Sequence, residues 1–267
     1  MRWLILILAA FSPFVVHADN EAAKRRFLSV DEAEPWSGVG RLNARGGFCT
    51  AALISPDTLL TAAHCIYDRA TGGQIPLSEL RFVAGSREGY QTAYRRIISA
   101  TPHPEWTGFH GQGVKVSSDI AIIRLESPIT DVEGRTYVTG PAPVQGDDVV
   151  LLSYGRDRED ALSIQSPCQV VQRFAKSASL NCDVTYGASG SPVFDDGRIV
   201  GVISAMSRVQ GEKVAHAALL DGTLETLFQP NPAEAAAPEP AQRAVSGFKR
   251  PTASGGGLPG GKRPPSQ

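Results

Sequence analysis

Cys182-Asp183-Val184-Thr185-Tyr186-Gly187-Ala188-Ser189-Gly190-Ser191-Pro192 sets a serine between two glycines, and Val193-Phe194-Asp195-Asp196-Gly197-Arg198-Ile199-Val200 follows at once. The second stretch reads as a β-hairpin, because Asp-Gly between apolar runs suits a tight two-residue turn. What comes after the serine decides the class. A nucleophile of the α/β-hydrolase type needs Gly-x-Ser-x-Gly on a strand–turn–helix. Here Ser191 stands in the last place and a strand comes next. That argues against an esterase or lipase of that type and for an all-β chain.

Working outward, short β-rich runs recur at 50–54, 80–84, 120–125, 149–154 and 199–204, separated by Gly, Pro, Asp and Ser clusters. Many short strands with turn signals suggest a sandwich or barrel. Helical periodicity is scarce. One short helix is expected over 219–228, with Leu220, Leu224 and Leu227 on one face. The segment 127–146 holds several Pro and Gly and no strong strand, so it is the expected boundary between two halves. No internal sequence repeat is evident.

The two ends differ from the middle. Arg2, the apolar stretch after it and Val16-His17-Ala18 read as a secretory signal over 1–18, too short for a membrane span. No stable membrane anchor is expected. From 229 to 267 Pro, Ala and Gly dominate and core-building residues almost vanish, which reads as a disordered tail. Its basic residues Arg243, Lys249, Arg250, Lys262 and Arg263 read as a solvated linker, since no aromatic pattern accompanies them. The folded domain is then expected over 19–228. A formal net charge of −1 gives no argument for nucleic acid as a partner.

Cys49, Cys65, Cys168 and Cys182 remain after the signal. An even count in an exported chain reads as two disulfides with three possible connectivities, of which local pairing, Cys49–Cys65 and Cys168–Cys182, is the simplest. Each local loop would stabilise by about 3 kcal/mol in the chain-entropy model. No C-x-x-C or H-x-x-x-H spacing points to a metal.

Leu60-Thr61-Ala62-Ala63-His64-Cys65 and Ser118-Asp119-Ile120-Ala121-Ile122 precede the serine stretch. A serine hydroxyl is a poor nucleophile until a neutral imidazole takes its proton, and a carboxylate fixes the imidazole's tautomer. The order His64, Asp119, Ser189 is not that of α/β-hydrolases. The histidine string with Cys49-Thr50-Ala51-Ala52-Leu53-Ile54-Ser55, then His103-Pro104 with Asp119-Ile120-Ala121-Ile122-Ile123-Arg124-Leu125, then Gly187-Ala188-Ser189-Gly190-Ser191-Pro192, resemble the trypsin-like serine proteases of the chymotrypsin fold. The Gly-Ser-Pro ending, the cysteine seven residues before the serine and the export signal look more like the bacterial glutamyl-endopeptidase-like branch than animal trypsins. The resemblance covers about 39–227. It implies two six-stranded antiparallel β-barrels, about 36–130 and about 140–220, with the site in the cleft between them. It also implies a His64–Asp119–Ser189 triad, an oxyanion hole from the N–H groups of Gly187 and Ser189, a disulfide bracketing the histidine, no cofactor, and a protein or peptide substrate. An exported monomer, periplasmic or extracellular, is expected.

Two departures from the family stand out. Many members become active when a newly cut terminal amine pairs with an aspartate just before the serine, and Ala188 holds that place. Arg25-Arg26 reads as an ordinary exposed pair, a propeptide cut being the alternative. The specificity pocket is the other departure. Asp183 lies where trypsins place an acidic floor, which suggests Arg or Lys at P1, but the neighbouring cysteine is displaced. Ser204-Ala205-Met206 is the expected second wall, Met206 narrowing it, and His216 lies in the next strand as a pocket or packed residue. Ile203 stands where glutamyl enzymes carry histidine, which argues against a strict Glu preference. His103 and His110 are expected in surface loops. The alternatives to a peptidase are a catalytically weak binding module and a periplasmic chaperone-protease; for the latter the tail is too short and polar to supply a peptide-binding domain.

Overall fold

The structure is a computed structural model that describes residues 24–220 apart from 112, 131 and 132, together with 222 and 224. Six strands close a first barrel: β1 (Val39–Ala44), β2 (Gly47–Ser55), β3 (Thr58–Thr61), β4 (Arg81–Ala84), β5 (Ala93–Pro102) and β6 (Ala121–Leu125). They run antiparallel in the order β1-β2-β3-β6-β5-β4, and β4 returns to β1. Six more close a second: β7 (Asp148–Gly155), β8 (Arg158–Arg173), β9 (Ser177–Leu180), β10 (Pro192–Asp195), β11 (Arg198–Val209) and β12 (Glu212–Leu219). Their order is β7-β8-β9-β12-β11-β10, and β10 returns to β7. The two halves therefore share one strand order although their sequences show no repeat. Closure removes the free edges that an open sheet would expose.

The expected strands are all present. Asp195 pairs with Arg198 across the β10–β11 turn, and Asp196 and Gly197 both have positive φ, 45° and 71°, as that two-residue turn demands. Of the helix expected over 219–228, Leu219 instead ends β12 and Leu224 is helical, while 221, 223 and 225–228 lie outside the described residues. The described α-helix, α1 (Val30–Ala33), lies at the other end of the domain, opened by a capping box between Ser29 and Glu32. Just before it, Arg26–Phe27 adds two residues of strand to the outer side of β8.

Alternation along the strands sorts the apolar residues into three cores. Leu53, Leu59, Phe82 and Ile123 fill the first barrel, and Leu151, Val170, Val200 and Leu219 the second. On the opposite strand faces, Ala52, Leu60 and Ile122 from the first half meet Leu152, Phe194, Ile199 and Val202 from the second. Strands at this seam are buried on both faces, so they read as unbroken apolar runs rather than as alternating ones. The segment between the barrels adds Tyr137, whose ring meets that of Phe194 edge-on at 5.1 Å while Trp36 approaches Phe194 at the same distance.

Thr50, fully buried on β2, joins the halves with polar groups. Its N–H donates to Ser189 O at 2.8 Å, its hydroxyl donates to Gly187 O at 3.0 Å, and the same hydroxyl accepts from Tyr154 N–H at 3.0 Å. Valine has nearly the shape of threonine but leaves two buried backbone groups without partners. We expect Thr50→Val to lower unfolding free energy by roughly 2–4 kcal/mol, at about 1–3 kcal/mol per orphaned group. Urea unfolding checks this, and a loss below about 0.5 kcal/mol would show that Thr50 is not a structural joint.

Candidate active site

β3 ends at Thr61 and runs into a tight 3₁₀ turn, Ala63–Ile66, that carries His64. The turn is stapled to β2 by Cys49–Cys65, with Cα atoms 6.1 Å apart. Asp119 lies between a second 3₁₀ turn, Val116–Ser118, and β6. Its carboxylate is fully buried. Oδ1 accepts from the His64 backbone N–H at 2.8 Å, and Oδ2 faces His64 Nδ1 at 2.7 Å. Ser204 Oγ donates to the same Oδ2 at 2.5 Å. Burying a carboxylate is costly unless donors surround it, and three do so here. A carboxylate facing Nδ1 favours the tautomer with its proton on that nitrogen, and Nε2 lies 3.9 Å from Cys65 Sγ. Cys49, His64 and Cys65 bring their ligand-type atoms within 4.8 Å of one another, but both sulfurs are consumed in the disulfide.

His103 corrects its sequence reading. It is 5 % exposed, not on a surface loop, and burial holds its pKa below the ordinary value. Its N–H donates to Ile120 O at 2.8 Å, which fixes the chain one residue beyond Asp119. His110 does sit exposed, beside the Thr107 hydroxyl.

Ser189 lies in the 181–191 loop between β9 and β10. Ala188 N–H turns inward to Thr185 O at 3.1 Å, whereas the N–H groups of Gly187 and Ser189 make no hydrogen bond to a described residue. Gly187 has φ 95°, a conformation that suits glycine and sets those two N–H groups apart from the inward one. Gly190 holds the loop against the first barrel. A Cβ there would stand 2.1 Å from Thr61 Oγ1 and 2.3 Å from Thr50 O, and Ala62, two residues before His64, is at 2.9 Å. The Gly190 N–H also donates to Ile203 O at 2.7 Å. The loop is thus pinned between β2, the histidine turn and β11. The Ser189 hydroxyl is half-exposed and makes no hydrogen bond to a described residue. Among the described residues no hydrogen bond joins the Ser189 hydroxyl to the His64 imidazole.

The four expected pocket residues have separate surroundings. Ser204 is committed to Asp119. Asp183 is half-exposed, with Lys213 Nζ at 2.5 Å from Oδ1 and Arg25 Nη2 at 3.7 Å from Oδ2. Its carboxylate is therefore already compensated. Met206 is exposed, at 41 %. His216 is half-buried between two hydroxyls, Ser179 Oγ at 3.2 Å from Nδ1 and Ser207 Oγ at 2.8 Å from Nε2. Burial holds its pKa below the ordinary histidine value. Arg25 was read as exposed; its side chain is 5 % exposed and bonded to Asp157, while Arg26 is exposed as expected. The spacing of the sequence gives no hint of the Arg25 burial, because its partner lies 132 residues away.

Both disulfides follow the local pairing, and Cys168–Cys182 fastens β8 to the start of the serine loop with Cα atoms 5.3 Å apart. The trypsin family model matches residues 28–218. The chain belongs to the trypsin-like serine protease family. It is 25 % identical to the glutamyl endopeptidase of Bacillus licheniformis, over 70 % of this chain and 57 % of that protein. It is 31 % identical to a chymotrypsin-like serine proteinase of Haliotis rufescens over 51 % of this chain and 48 % of that one. The chain thus spans about half the length of these two relatives. A solved Glu endopeptidase in complex with MPD overlays with a TM-score of 0.65 at 18 % identity, covering 79 % of this chain and 96 % of that one, which shows the shared fold.

In this trypsin-like chain the glycine after the serine has a measurable role. Gly190→Ala combines a left-handed φ of 75° with a clash against two backbone neighbours. We expect a loss of about 3 kcal/mol or more, read from the urea midpoint, since strain and overpacking each contribute about 1–3 kcal/mol. An unchanged midpoint would mean that the loop is not pressed against the first barrel.

Proposed function

We propose that the chain is an exported serine endopeptidase that cleaves protein or peptide substrates through an acyl-enzyme on Ser189. The observation that carries this reading is the fully buried Asp119 carboxylate on His64 Nδ1, together with the unpaired N–H groups of Gly187 and Ser189 flanking a half-exposed serine. In this mechanism Ser189 Oγ attacks the acyl carbon as its proton passes to His64 Nε2. The oxyanion that forms is met by the two N–H groups, each such donor being worth about 3–4 kcal/mol. The C–N bond then breaks as the imidazolium returns the proton to the leaving amine. Water, activated by the same nitrogen, attacks the ester, and Ser189 leaves with the proton. Asp119 keeps the ring oriented and stabilises its cationic form, and Ser204 keeps Asp119 in place. Two disulfides and the sequence signal support export to an oxidising compartment.

At P1, a cationic substrate side chain would have to draw Asp183 away from Lys213 and Arg25. The Arg/Lys preference suggested by the sequence therefore has no free carboxylate to rest on. We expect Asp183→Ser to leave the ranking of Arg, Leu and Glu substrates unchanged, measured as kcat/KM. A selective loss on Arg substrates restores Asp183 as the pocket floor.

For the mechanism itself, a fluorophosphonate should label Ser189 and no other serine. Ser189→Ala should lose roughly a millionfold in kcat while keeping its fold, because members of such a triad act as one unit. Parental turnover by folded Ser189→Ala protein sinks the assignment. A parent that neither labels nor cleaves a mixed peptide library leaves the binding-module reading in its place.

A further inference from the structure

Arg25 has no part in the chemistry above, yet its guanidinium is buried beside the loop that carries it. Nη2 lies 2.6 Å from Asp157 Oδ2 and 3.7 Å from Asp183 Oδ2. Asp157 sits in the turn between β7 and β8, and Asp183 opens the serine loop just after Cys182. One cation therefore bridges two backbone segments that share no strand pairing. The turn touches the loop elsewhere too. Arg156 N–H donates to Tyr186 O at 2.6 Å, and the Arg156 guanidinium lies over the Tyr186 ring at 5.3 Å. A Cβ on Gly155 would meet Thr185 Cγ2 at 2.7 Å, Asp157 Oδ1 at 2.8 Å and Arg25 Nη1 at 3.0 Å, so these three side chains close around one point of the turn. Gly187, Ala188 and Ser189 follow Tyr186 along the loop.

Arg25 is itself held firmly. Arg26 and Phe27 pair with Ile164 and Ser163 on β8, Leu28 N–H donates to Leu162 O at 3.1 Å, and Leu28 is buried. Arg87 donates to Leu28 O, and the Ser29–Glu32 capping box fixes the chain beyond it. The burial is not cheap: Nε and Nη1 are enclosed without a hydrogen-bond partner among the described residues. Replacing a whole buried ion pair with apolar groups of the same volume is often neutral or stabilising, so such a pair is weak evidence for stability. Charge at this point is better explained by what it orders than by stability.

Ala188 offers no carboxylate beside the serine. The acidic groups available to tie the loop down are Asp183, shared by Arg25 and Lys213, and Asp157, held by Arg25. Resting on the serine-peptidase reading, we propose that Arg25 is a positioning residue: an internal cation that clamps Asp157 to Asp183 and so keeps the N–H groups of Gly187 and Ser189 aligned for the oxyanion. The loop is then ordered by a side chain within the chain and not by a free chain terminus.

The test uses the full chain and the variants Arg25→Leu, Arg25→Lys and Asp157→Asn. Amide exchange of the 183–190 peptide is compared with that of a β3 peptide, alongside kcat and KM on a peptide substrate. In Arg25→Leu we expect exchange over 183–190 to rise about tenfold with β3 unchanged, and kcat to fall about tenfold or more while KM stays within about twofold, as loss of an oxyanion donor's alignment requires. Arg25→Lys should recover part of both. Should Arg25→Leu not fold, Asp157→Asn removes the same ion pair without touching the buried stem, with the same expected signature. Unchanged 183–190 exchange in a folded variant overturns the proposal, and so does raised exchange with parental kcat. If the parent cleaves nothing, the peptidase reading fails, and the exchange comparison alone still decides whether Arg25 orders the loop.

Discussion

Everything at the site depends on how Thr50 ties one barrel to the other. Its amide and hydroxyl reach the carbonyls of Ser189 and Gly187, and its hydroxyl takes the Tyr154 amide. Its own carbonyl accepts from Thr61 Oγ1 at 2.9 Å, three residues before His64. One residue of β2 thus contacts the serine loop and the strand that delivers the histidine. The apolar seam supplies most of the adhesion between the halves, but apolar contacts are non-directional. A hydrogen-bonded joint fixes register, and the His64–Asp119 pair and Ser189 come from opposite sides of that joint.

Two buried charges near the site behave differently. Asp119 is surrounded by three donors, so its charge is compensated where it is used. Arg25 has one close carboxylate and two enclosed nitrogens without a partner among the described residues. Asp183, between Arg25 and Lys213, belongs to this second network more than to a substrate pocket. The region below the loop is therefore a small structure of alternating charges, and its net neutrality explains why an acidic residue in a trypsin-like position carries no spare charge.

What was legible in the sequence follows from range. The strands showed because β-rich runs and an Asp-Gly turn are local signals, and the cysteine pairs because each spans a short loop. His64, Asp119 and Ser189 stand out as candidates because their neighbours form recognisable strings, and the structure brings His64 and Asp119 together. Arg25 was misread because its burial is set by Asp157, far along the chain, and a basic pair looks the same in sequence whether one member faces in or out. His103 was misread for a like reason: its Pro neighbour signals a loop, but only the fold shows Trp106 N–H donating to its carbonyl and the β6 segment closing over it. The shared strand order of the halves left no repeat in sequence, since two barrels can satisfy the same closure with different apolar residues.

The placement of the disulfides has a further meaning. Cys49–Cys65 lies within the first half and Cys168–Cys182 within the second, and no free cysteine remains. No disulfide joins the two halves, which only the 126–147 segment of the backbone connects. Each half is locked as a separate piece, while the alignment between them is an equilibrium property of packing and a few buried hydrogen bonds. An oxidising environment can therefore preserve both pieces of such a molecule without preserving the arrangement between them. Durability of the parts and durability of the working whole are set by different forces.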